Sequence, residues 1–441
     1  MNGWDTLKTE NGRLIIGGMD AKEIAAEYGT PVYVYDEAHI RAMINVFKSA
    51  LSDFYGGYGM ILYASKAFAC SAIYRVMQSE KAGVDVVSGG ELYTALKAGV
   101  LPQNIYLHGN NKLYNELKLA VESGVGTVVL DSFDEADILD AIANELGVVQ
   151  NVIIRVNPGI EAHTHEFIQT AKTDSKFGFS VDGGCAEQIT EYVLMKKNLI
   201  LSGFHCHIGS QIFEKKSFAL AAEKMLDFIA DIKAKSGYEA DVLNMGGGFG
   251  IRYTGSDPKL GADDYRAYVK SISDAIKDKC GVYGLKLPYL VLEPGRSVVG
   301  EAGITLYTVG TVKEIAGIKT YVAVDGGMFE NPRYALYRAD YSALIVDRAD
   351  ENCTQKVTIA GKCCESGDVI AADVNLPQVK RGDVIAVLST GAYNYSMASN
   401  YNRNPIPPVI FVKNGKAEYV VKPQSYEDIV RNDIIPERLK Q

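Results

Sequence analysis

Several features that mark other classes of protein are missing from this chain of 441 residues. It has no run of basic residues, and 54 Asp and Glu outnumber 45 Lys and Arg to give a net charge of −9. We therefore expect no nucleic acid partner. No segment offers about 18 uninterrupted apolar residues, and the opening MNGWDTLKTENGRL lacks the apolar centre of a signal peptide. A cytoplasmic protein with no membrane contact is expected.

Cysteines and histidines at metal-binding spacing are also scarce. The seven cysteines are scattered and no two form a C-x-x-C pair, which argues against a disulfide framework and a zinc site. His163 and His165 lie close together in EAHTHEF, but no further Cys or His nearby completes a ligand set. We interpret them as part of a loop that borders a site, and we expect no bound metal.

Short apolar runs alternate with amphipathic segments through the first two thirds of the chain. Segments such as ELYTALKAG and FALAAEKMLDFIADIKAKSG repeat apolar residues at helical spacing. The pattern predicts a closed parallel (β/α)8 barrel, and the G-x-G-x-x-G turn typical of an open doubly wound sheet does not follow the first run. The eight apolar runs are MILYAS, GVDVVS, NIYLHG, TVVLDS, NVIIRVN, LSGFHCHIG, DVLNMGGG and YLVLEPG.

From about residue 300 the pattern changes to alternating polarity, as in GITLYTVGTVKEI and PPVIFVKNGKAEYVV, with glycines and Asn-Gly turns. This predicts a second, mainly antiparallel β domain of sandwich or barrel type, to which LIIGGM and PVYVYD near the amino terminus can add strands. The predicted fold class is thus α/β plus β. We expect the barrel in residues 36–295 and the β domain in residues 1–35 and 296–441.

Polar or glycine-rich residues follow almost every predicted barrel strand. In such barrels the active site lies at these carboxyl ends of the strands. Lys66 ends an otherwise apolar run, Gly246, Gly247 and Gly248 follow the seventh strand, and Glu293 precedes Pro-Gly-Arg after the eighth. The glycines fit a phosphate, because bare amides can approach an anion closely. Together these residues predict pyridoxal 5'-phosphate, with Lys66 forming the Schiff base and Glu293 keeping the ring nitrogen protonated.

A set of motifs then resembles one family. YASKA, DVVSGGEL, LHGNNK, SKFGF, FHCHIGSQ, MGGGFGI, EPGRS, CCESGD and GAY occur in the order found in the diaminopimelate decarboxylases. This is a family of pyridoxal-phosphate enzymes of fold type III, with the alanine racemase-like architecture. The resemblance implies decarboxylation of meso-2,6-diaminopimelate to L-lysine and carbon dioxide, the last step of lysine biosynthesis. It also implies a homodimer.

The resemblance also implies roles for particular residues. Lys66, His207 and Cys364 would be catalytic, with His207 stacked on the cofactor ring and Cys364 protonating the carbanion left by carbon dioxide. In the family the motif containing Cys364 comes from the partner subunit, so the active site would be shared. The implied cofactor-binding residues are Lys66, His207, Ser210, Gly247, Gly248, Glu293, Gly295, Arg296 and Tyr393. The implied substrate-binding residues are Arg296, Arg333, Tyr337, Glu365 and Tyr393.

Some alternatives remain at this level. Arg338 could share the role of Arg333, Cys363 could be the exposed thiol in place of Cys364, and His205 is interpreted as structural or as supporting the site. The enzyme could also decarboxylate another amino acid, but Arg296 and Arg333 beside Glu365 favour a substrate with both a remote carboxylate and a remote amine. A racemase would need a second catalytic base, and CCESGD stands where it would be sought. An inactive homologue should have lost Lys66 or the glycines.

Overall fold

The computed structural model describes residues 6–160 and 175–440. The chain forms two compact units. The first, which we call the β unit, comprises Met1–His39, Arg252–Asp257 and Val299–Gln441, and the second, the barrel unit, comprises Ile40–Ile251 and Pro258–Val298. No helix in the described part of the chain is long and apolar enough to cross a membrane.

The amino-terminal segment contributes two pieces of sheet to the β unit. Strands β1, β2 and β3 form an antiparallel sheet of their own, and β4 joins the large sheet described below. The first helix begins after Asp20, whose carboxylate accepts a hydrogen bond of 2.8 Å from the Lys22 amide and so caps it. The elements are β1 (Leu7–Glu10), β2 (Arg13–Ile16), β3 (Met19–Asp20), α1 (Ala21–Tyr28) and β4 (Val32–Asp36).

The barrel unit holds the predicted ring of parallel strands. Among the described residues, eight strands pair in the order β5-β6-β7-β8-β9-β11-β12-β13, and β13 pairs with β5 to close the ring, while β10 adds to β9 outside it. These strands are β5 (Gly59–Ala64), β6 (Gly83–Val86), β7 (Ile105–Leu107), β8 (Thr127–Leu130), β9 (Gln150–Asn157), β10 (Phe179–Ser180), β11 (Leu199–His205), β12 (Val242–Asn244) and β13 (Tyr289–Leu292).

Helices connect successive strands of the ring, and the apolar runs are strands because both of their faces are covered. Leu62, Tyr106, Val129, Ile153 and Val291 form a buried cluster drawn from five of the strands. The helices are α2 (Glu37–Tyr55), α3 (Ser71–Ser79), α4 (Gly89–Lys97), α5 (Tyr114–Glu122), α6 (Phe133–Leu146), α7 (Cys185–Leu194), α8 (Lys215–Ser236), α9 (Ala262–Tyr283) and α10 (Arg296–Val299). The (β/α)8 prediction is confirmed.

The β unit is built on a mainly antiparallel sheet, as predicted. Its strands run β18-β17-β15-β14-β4-β20-β21, with β19 on β14 and β16 on β19, and the β15–β17 and β4–β20 pairs are parallel. Asn414 and Gly415, at φ of 52° and 73°, form the tight turn between the last two strands. The elements are β14 (Gly303–Ile315), β15 (Lys319–Val324), α11 (Arg333–Tyr337), β16 (Ala343–Ile345), β17 (Gln355–Ala360), β18 (Val369–Leu376), β19 (Val384–Val387), β20 (Val409–Lys413), β21 (Lys416–Val421) and α12 (Tyr426–Val430).

Candidate active site

Lys66 lies directly after the carboxyl end of the first barrel strand. It sits in a short 3-10 turn, Ser65–Ala67, in which its two neighbours are buried while Lys66 itself is exposed. The end of the next strand brings Asp85 alongside, because Ala64 and Asp85 are paired in the sheet. Burial raises the pKa of Asp85, and the Lys66 ammonium opposes that rise. The structure thus places a solvent-accessible amine and a buried carboxyl group at the same end of the barrel.

His207 follows β11 and lies against the glycine loop that follows β12. A Cβ atom added to Gly246 would lie 3.1 Å from His207 Nδ1, and one added to Gly248 would lie 3.5 Å from its Cε1. Burial lowers the pKa of His207 well below its ordinary value, and the Lys66 charge lowers it further. The ring is therefore a neutral, flat surface near the amine.

The glycine loop offers donors for an anion. Gly248 has a φ of 107°, and a side chain on Gly247 would begin 2.0 Å from the Glu293 carbonyl oxygen, so neither position accepts another residue. The amides of Gly247 and Gly248 donate no backbone hydrogen bond to the described residues. Nearby, Arg296 Nη2 donates 2.9 Å to Ser210 Oγ. Bare amides, a hydroxyl and a guanidinium form a set suited to a phosphate group.

Glu293 is a second buried acid at this end of the barrel. Its Oε1 accepts hydrogen bonds from His108 Nε2 at 2.8 Å and from Asn244 Nδ2 at 2.7 Å, while His205 Nδ1 lies 4.0 Å from Oε2. The donor atoms of His108, His205 and Glu293 lie within 4.8 Å of one another, so this group could also hold a metal ion. A buried carboxylate with an oriented set of partners suits a cationic ring nitrogen equally well.

A second buried network stabilises the loop that carries His108. Lys112 Nζ donates hydrogen bonds of 2.7 Å to the carbonyl oxygens of Gly109 and Val129, and it lies 2.7 Å from a carboxylate oxygen of Glu135. Burial raises the pKa of Glu135 to about 7, and the Lys112 ammonium opposes the rise. The Lys112 ammonium is therefore fully engaged in structural contacts.

The β unit contains the residues implied for substrate binding, and Arg333 is the most distinctive of them. It is buried, its Nη1 donates 2.9 Å to the Tyr341 hydroxyl, and its guanidinium lies 4.5 Å from the centre of the Tyr253 ring. No carboxylate of the described residues forms an ion pair with it. Tyr337 is half-buried and Arg338 is exposed. The cation is thus held in a polar aromatic pocket in which the described residues supply no fixed anion.

The two adjacent cysteines have different surroundings. The Cys364 amide donates 2.8 Å to Asn402 Oδ1 and the residue is exposed. Cys363 is partly buried, and burial raises the pKa of its thiol to about 11. Glu365 is exposed and Tyr393 is half-buried. His163 and His165 lie outside the described residues.

The sequence indicated no role for several members of these networks, and three of them are informative. Asn244 ends a strand as an ordinary polar residue. Asp85 lies inside the apolar run GVDVVS, and an acid within an otherwise apolar run was the signal that could have identified it. Tyr341 is the third, and its hydroxyl accepts hydrogen bonds from both Arg333 and Asn394. His205, interpreted as structural or supporting, lies beside Glu293.

The barrel, its exposed lysine and its glycine loop point to the class to which the chain belongs. Residues 37–300 match the family described as pyridoxal-dependent decarboxylase, pyridoxal binding domain. The chain is therefore a decarboxylase that uses pyridoxal 5'-phosphate, and the predicted cofactor and enzyme class are confirmed.

Full-length relatives narrow the assignment. The chain is 49% identical to diaminopimelate decarboxylase from Bacillus subtilis, over 97% of this chain and 96% of the relative, and 48% identical to that of Staphylococcus aureus, over 96% and 98%. A crystal structure of diaminopimelate decarboxylase from M. jannaschii in complex with L-lysine is 35% identical, covers 100% of both chains and superposes with a TM-score of 0.91. The chain belongs to the diaminopimelate decarboxylase family, as its motifs predicted.

Proposed function

We propose that this chain performs the reaction of its family with the residues assigned below. That reaction is the decarboxylation of meso-2,6-diaminopimelate to L-lysine and carbon dioxide, which completes lysine biosynthesis. The single observation that carries the substrate assignment is Arg333, a buried cation without an ion-pair partner among the described residues. A buried charge without a partner is costly, so its pocket is suited to an anionic group of the substrate.

The barrel residues hold the cofactor in this proposal. Lys66 would bind it covalently, His207 would cover one ring face, and Glu293 would pair with the ring nitrogen. When bound, pyridoxal phosphate supplies a ring that accepts the electron pair released as carbon dioxide leaves. The phosphate-binding residues are proposed to be Ser210, Gly247, Gly248, Gly295, Arg296 and Tyr393.

The residues proposed for substrate recognition bind the remote end of the substrate, which carries a second amino-acid head. Arg333 binds its carboxylate through the planar donors of the guanidinium, and Arg296, Tyr337 and Tyr393 are proposed as further substrate-binding residues. Glu365 faces the remote ammonium. A substrate with an amine but no carboxylate at that end would leave Arg333 without its anion, and we expect such a substrate to react poorly.

Cys364 is assigned as the acid that protonates the reacting carbon. It is the more exposed of the two adjacent cysteines, whereas Cys363 is partly buried with a raised thiol pKa. A proton that is delivered by a positioned side chain fixes the configuration of the product. We further propose that Cys364 acts in the site of the partner subunit, so that the homodimer is the active form.

The function is tested by measuring carbon dioxide release from a panel of amino acids with cofactor-loaded protein. The panel contains meso-diaminopimelate, its LL isomer, L-lysine, D- and L-ornithine and L-arginine, and Lys66→Ala is the control. We expect release from the meso compound alone, with L-lysine as the product and no release by the control. Preference for a diamine precursor such as ornithine would contradict the role given to Arg333.

The shared site is tested separately by mixing equal amounts of two strongly impaired variants, Lys66→Ala and Cys364→Ala. If each site takes Lys66 from one subunit and Cys364 from the other, a mixed dimer has one intact site. Random exchange then restores about one quarter of the wild-type activity. Absence of any recovery after verified subunit exchange would contradict the shared site.

A further inference from the structure

The two carboxylate oxygens of Glu293 have different surroundings. Oε1 accepts two hydrogen bonds, from His108 and from Asn244, and this uses the acceptor capacity of one carboxylate oxygen. Oε2 accepts none from the residues that the structure describes, and His205 Nδ1, at 4.0 Å, is too far away to donate one. The carboxylate therefore has one oxygen that is saturated and one that is available.

The direction of both hydrogen bonds is fixed by the neighbouring groups. Asn244 Oδ1 accepts 2.9 Å from the Gly246 amide, so the other end of the side chain, Nδ2, must face Glu293. Burial lowers the pKa of His108 to about 3, which leaves its ring neutral. A neutral imidazole that faces a carboxylate oxygen donates from the nitrogen that faces it, here Nε2.

The two hydrogen-bond donors lie at the carboxyl ends of different barrel strands. His108 follows β7 and Asn244 ends β12, next to the strand that precedes Glu293. The His205 ring packs edge-on against that of His108, with centroids 4.8 Å apart at 78°, and so restricts its rotation. Two donors from separate strand ends hold the carboxylate in one orientation before anything binds.

We propose that His108 and Asn244 are positioning residues that occupy Oε1 of Glu293 and so reserve Oε2 for the protonated ring nitrogen of the cofactor. The inference rests on the proposed function, which pairs Glu293 with that nitrogen. Neither residue touches the substrate. Their effect is to present Glu293 as a preorganised acceptor, so that the ring nitrogen stays protonated during the reaction.

The test compares His108→Phe, which keeps a ring but removes the donor, with His108→Gln, whose amide can still donate. Each protein is loaded with cofactor labelled with ¹⁵N at the ring nitrogen, and its protonation is read from the ¹⁵N NMR shift. We expect the wild-type protein and His108→Gln to show a protonated nitrogen at neutral pH, and His108→Phe to move toward the unprotonated shift. The kcat of His108→Phe should fall about tenfold with an unchanged KM, because one hydrogen bond to a charged acceptor is lost.

Asn244→Leu removes the second donor from a different strand, so the proposal can still be tested if one variant misfolds. It should move the ¹⁵N shift in the same direction as His108→Phe, while borohydride reduction still attaches the cofactor to Lys66 in both. A wild-type ¹⁵N shift in His108→Phe or Asn244→Leu would overturn the proposal, as would equal impairment of His108→Gln and His108→Phe. If the wild-type protein itself binds no cofactor at Lys66, the proposed function fails and this inference fails with it.

Discussion

The Arg333 guanidinium donates a hydrogen bond of 2.9 Å to the Tyr341 hydroxyl, and the same hydroxyl accepts one of 3.2 Å from Asn394 Nδ2. Tyr341 therefore holds the direction of a buried cation without neutralising it. The neighbouring Tyr253 ring covers the guanidinium plane at 4.5 Å. A cation held in this way can meet a carboxylate at little cost in side-chain entropy.

Replacing Arg333 by Lys should therefore weaken substrate binding. Lysine keeps the charge but loses the planar, two-pronged donor, so we expect the KM for meso-diaminopimelate to rise about tenfold or more with a smaller change in kcat. The matched control is Arg338→Lys, five residues along the chain and exposed, which should change KM little. Steady-state kinetics of both variants give the two KM values. A larger rise in KM for Arg338→Lys would assign the carboxylate-binding role to Arg338.

Cys363 and Cys364 allow a second comparison between matched variants. Cys364→Ala should lower kcat about 100-fold, because it removes the proposed proton donor, whereas Cys363→Ala should leave kcat nearly unchanged. Thiol-directed reagents should also modify Cys364 before Cys363, since Cys364 is exposed and Cys363 is partly buried. Peptide mapping after brief labelling checks the order of reaction. Faster loss of activity through Cys363 would contradict the assignment.

Lys66 should carry the cofactor covalently. After borohydride reduction, mass spectrometry of the wild-type peptide that contains Lys66 should show the added cofactor, and Lys66→Ala should show no adduct there. Lys112→Met is the informative comparison, because Lys112 is buried in an ion pair and is expected to affect stability rather than attachment. An adduct on Lys112 in the wild-type protein would refute the choice of Lys66.

A pH effect on stability is predicted from Glu330 in the β unit. It is buried, accepts 2.8 Å from the Tyr307 hydroxyl, and burial raises its pKa to about 8. The unfolded chain releases this proton near its ordinary pKa and the folded chain only near pH 8. Unfolding is therefore favoured progressively as the pH rises between these values, and stability falls.

Glu330→Gln removes that titration. Between pH 6 and pH 8 the wild-type protein should lose roughly 2 kcal/mol of unfolding free energy more than the variant does, since each unit of pKa difference is worth about 1.4 kcal/mol. Urea unfolding of both proteins at the two pH values measures the difference, and all other titrating groups cancel in the comparison. Parallel pH dependences would contradict a protonated Glu330.

The barrel could be predicted because its strands are covered on both faces and read as short apolar runs between amphipathic helices. The Asn-Gly turn at Asn414 was likewise visible, since its two residues accept positive φ. In contrast, the position of β4 between β14 and β20 could not be predicted from the sequence, because the order of strands in this sheet differs from their order along the chain. The local sequence indicates where turns and buried strands occur, but it does not indicate which distant strand pairs with a given strand.

The same limit applies to the site. Lys66, His207 and Glu293 stand at strand ends, where barrel chemistry is expected, and so they could be named. The hydrogen bonds of His108 and Asn244 to one oxygen of Glu293 join residues up to 185 positions apart, and the approach of His205 depends on the closure of the ring. Such contacts follow from the three-dimensional closure of the barrel and leave no spacing pattern in the sequence.

The proposed reaction is tested most directly by incubating the cofactor-loaded protein with meso-diaminopimelate in D₂O, with chiral separation and mass analysis of the products. We expect one carbon dioxide for each L-lysine formed, with one deuterium on the carbon that lost its carboxylate. Deuterated diaminopimelate without carbon dioxide would instead reveal a racemase, and no reaction with the meso compound would contradict the proposed decarboxylation.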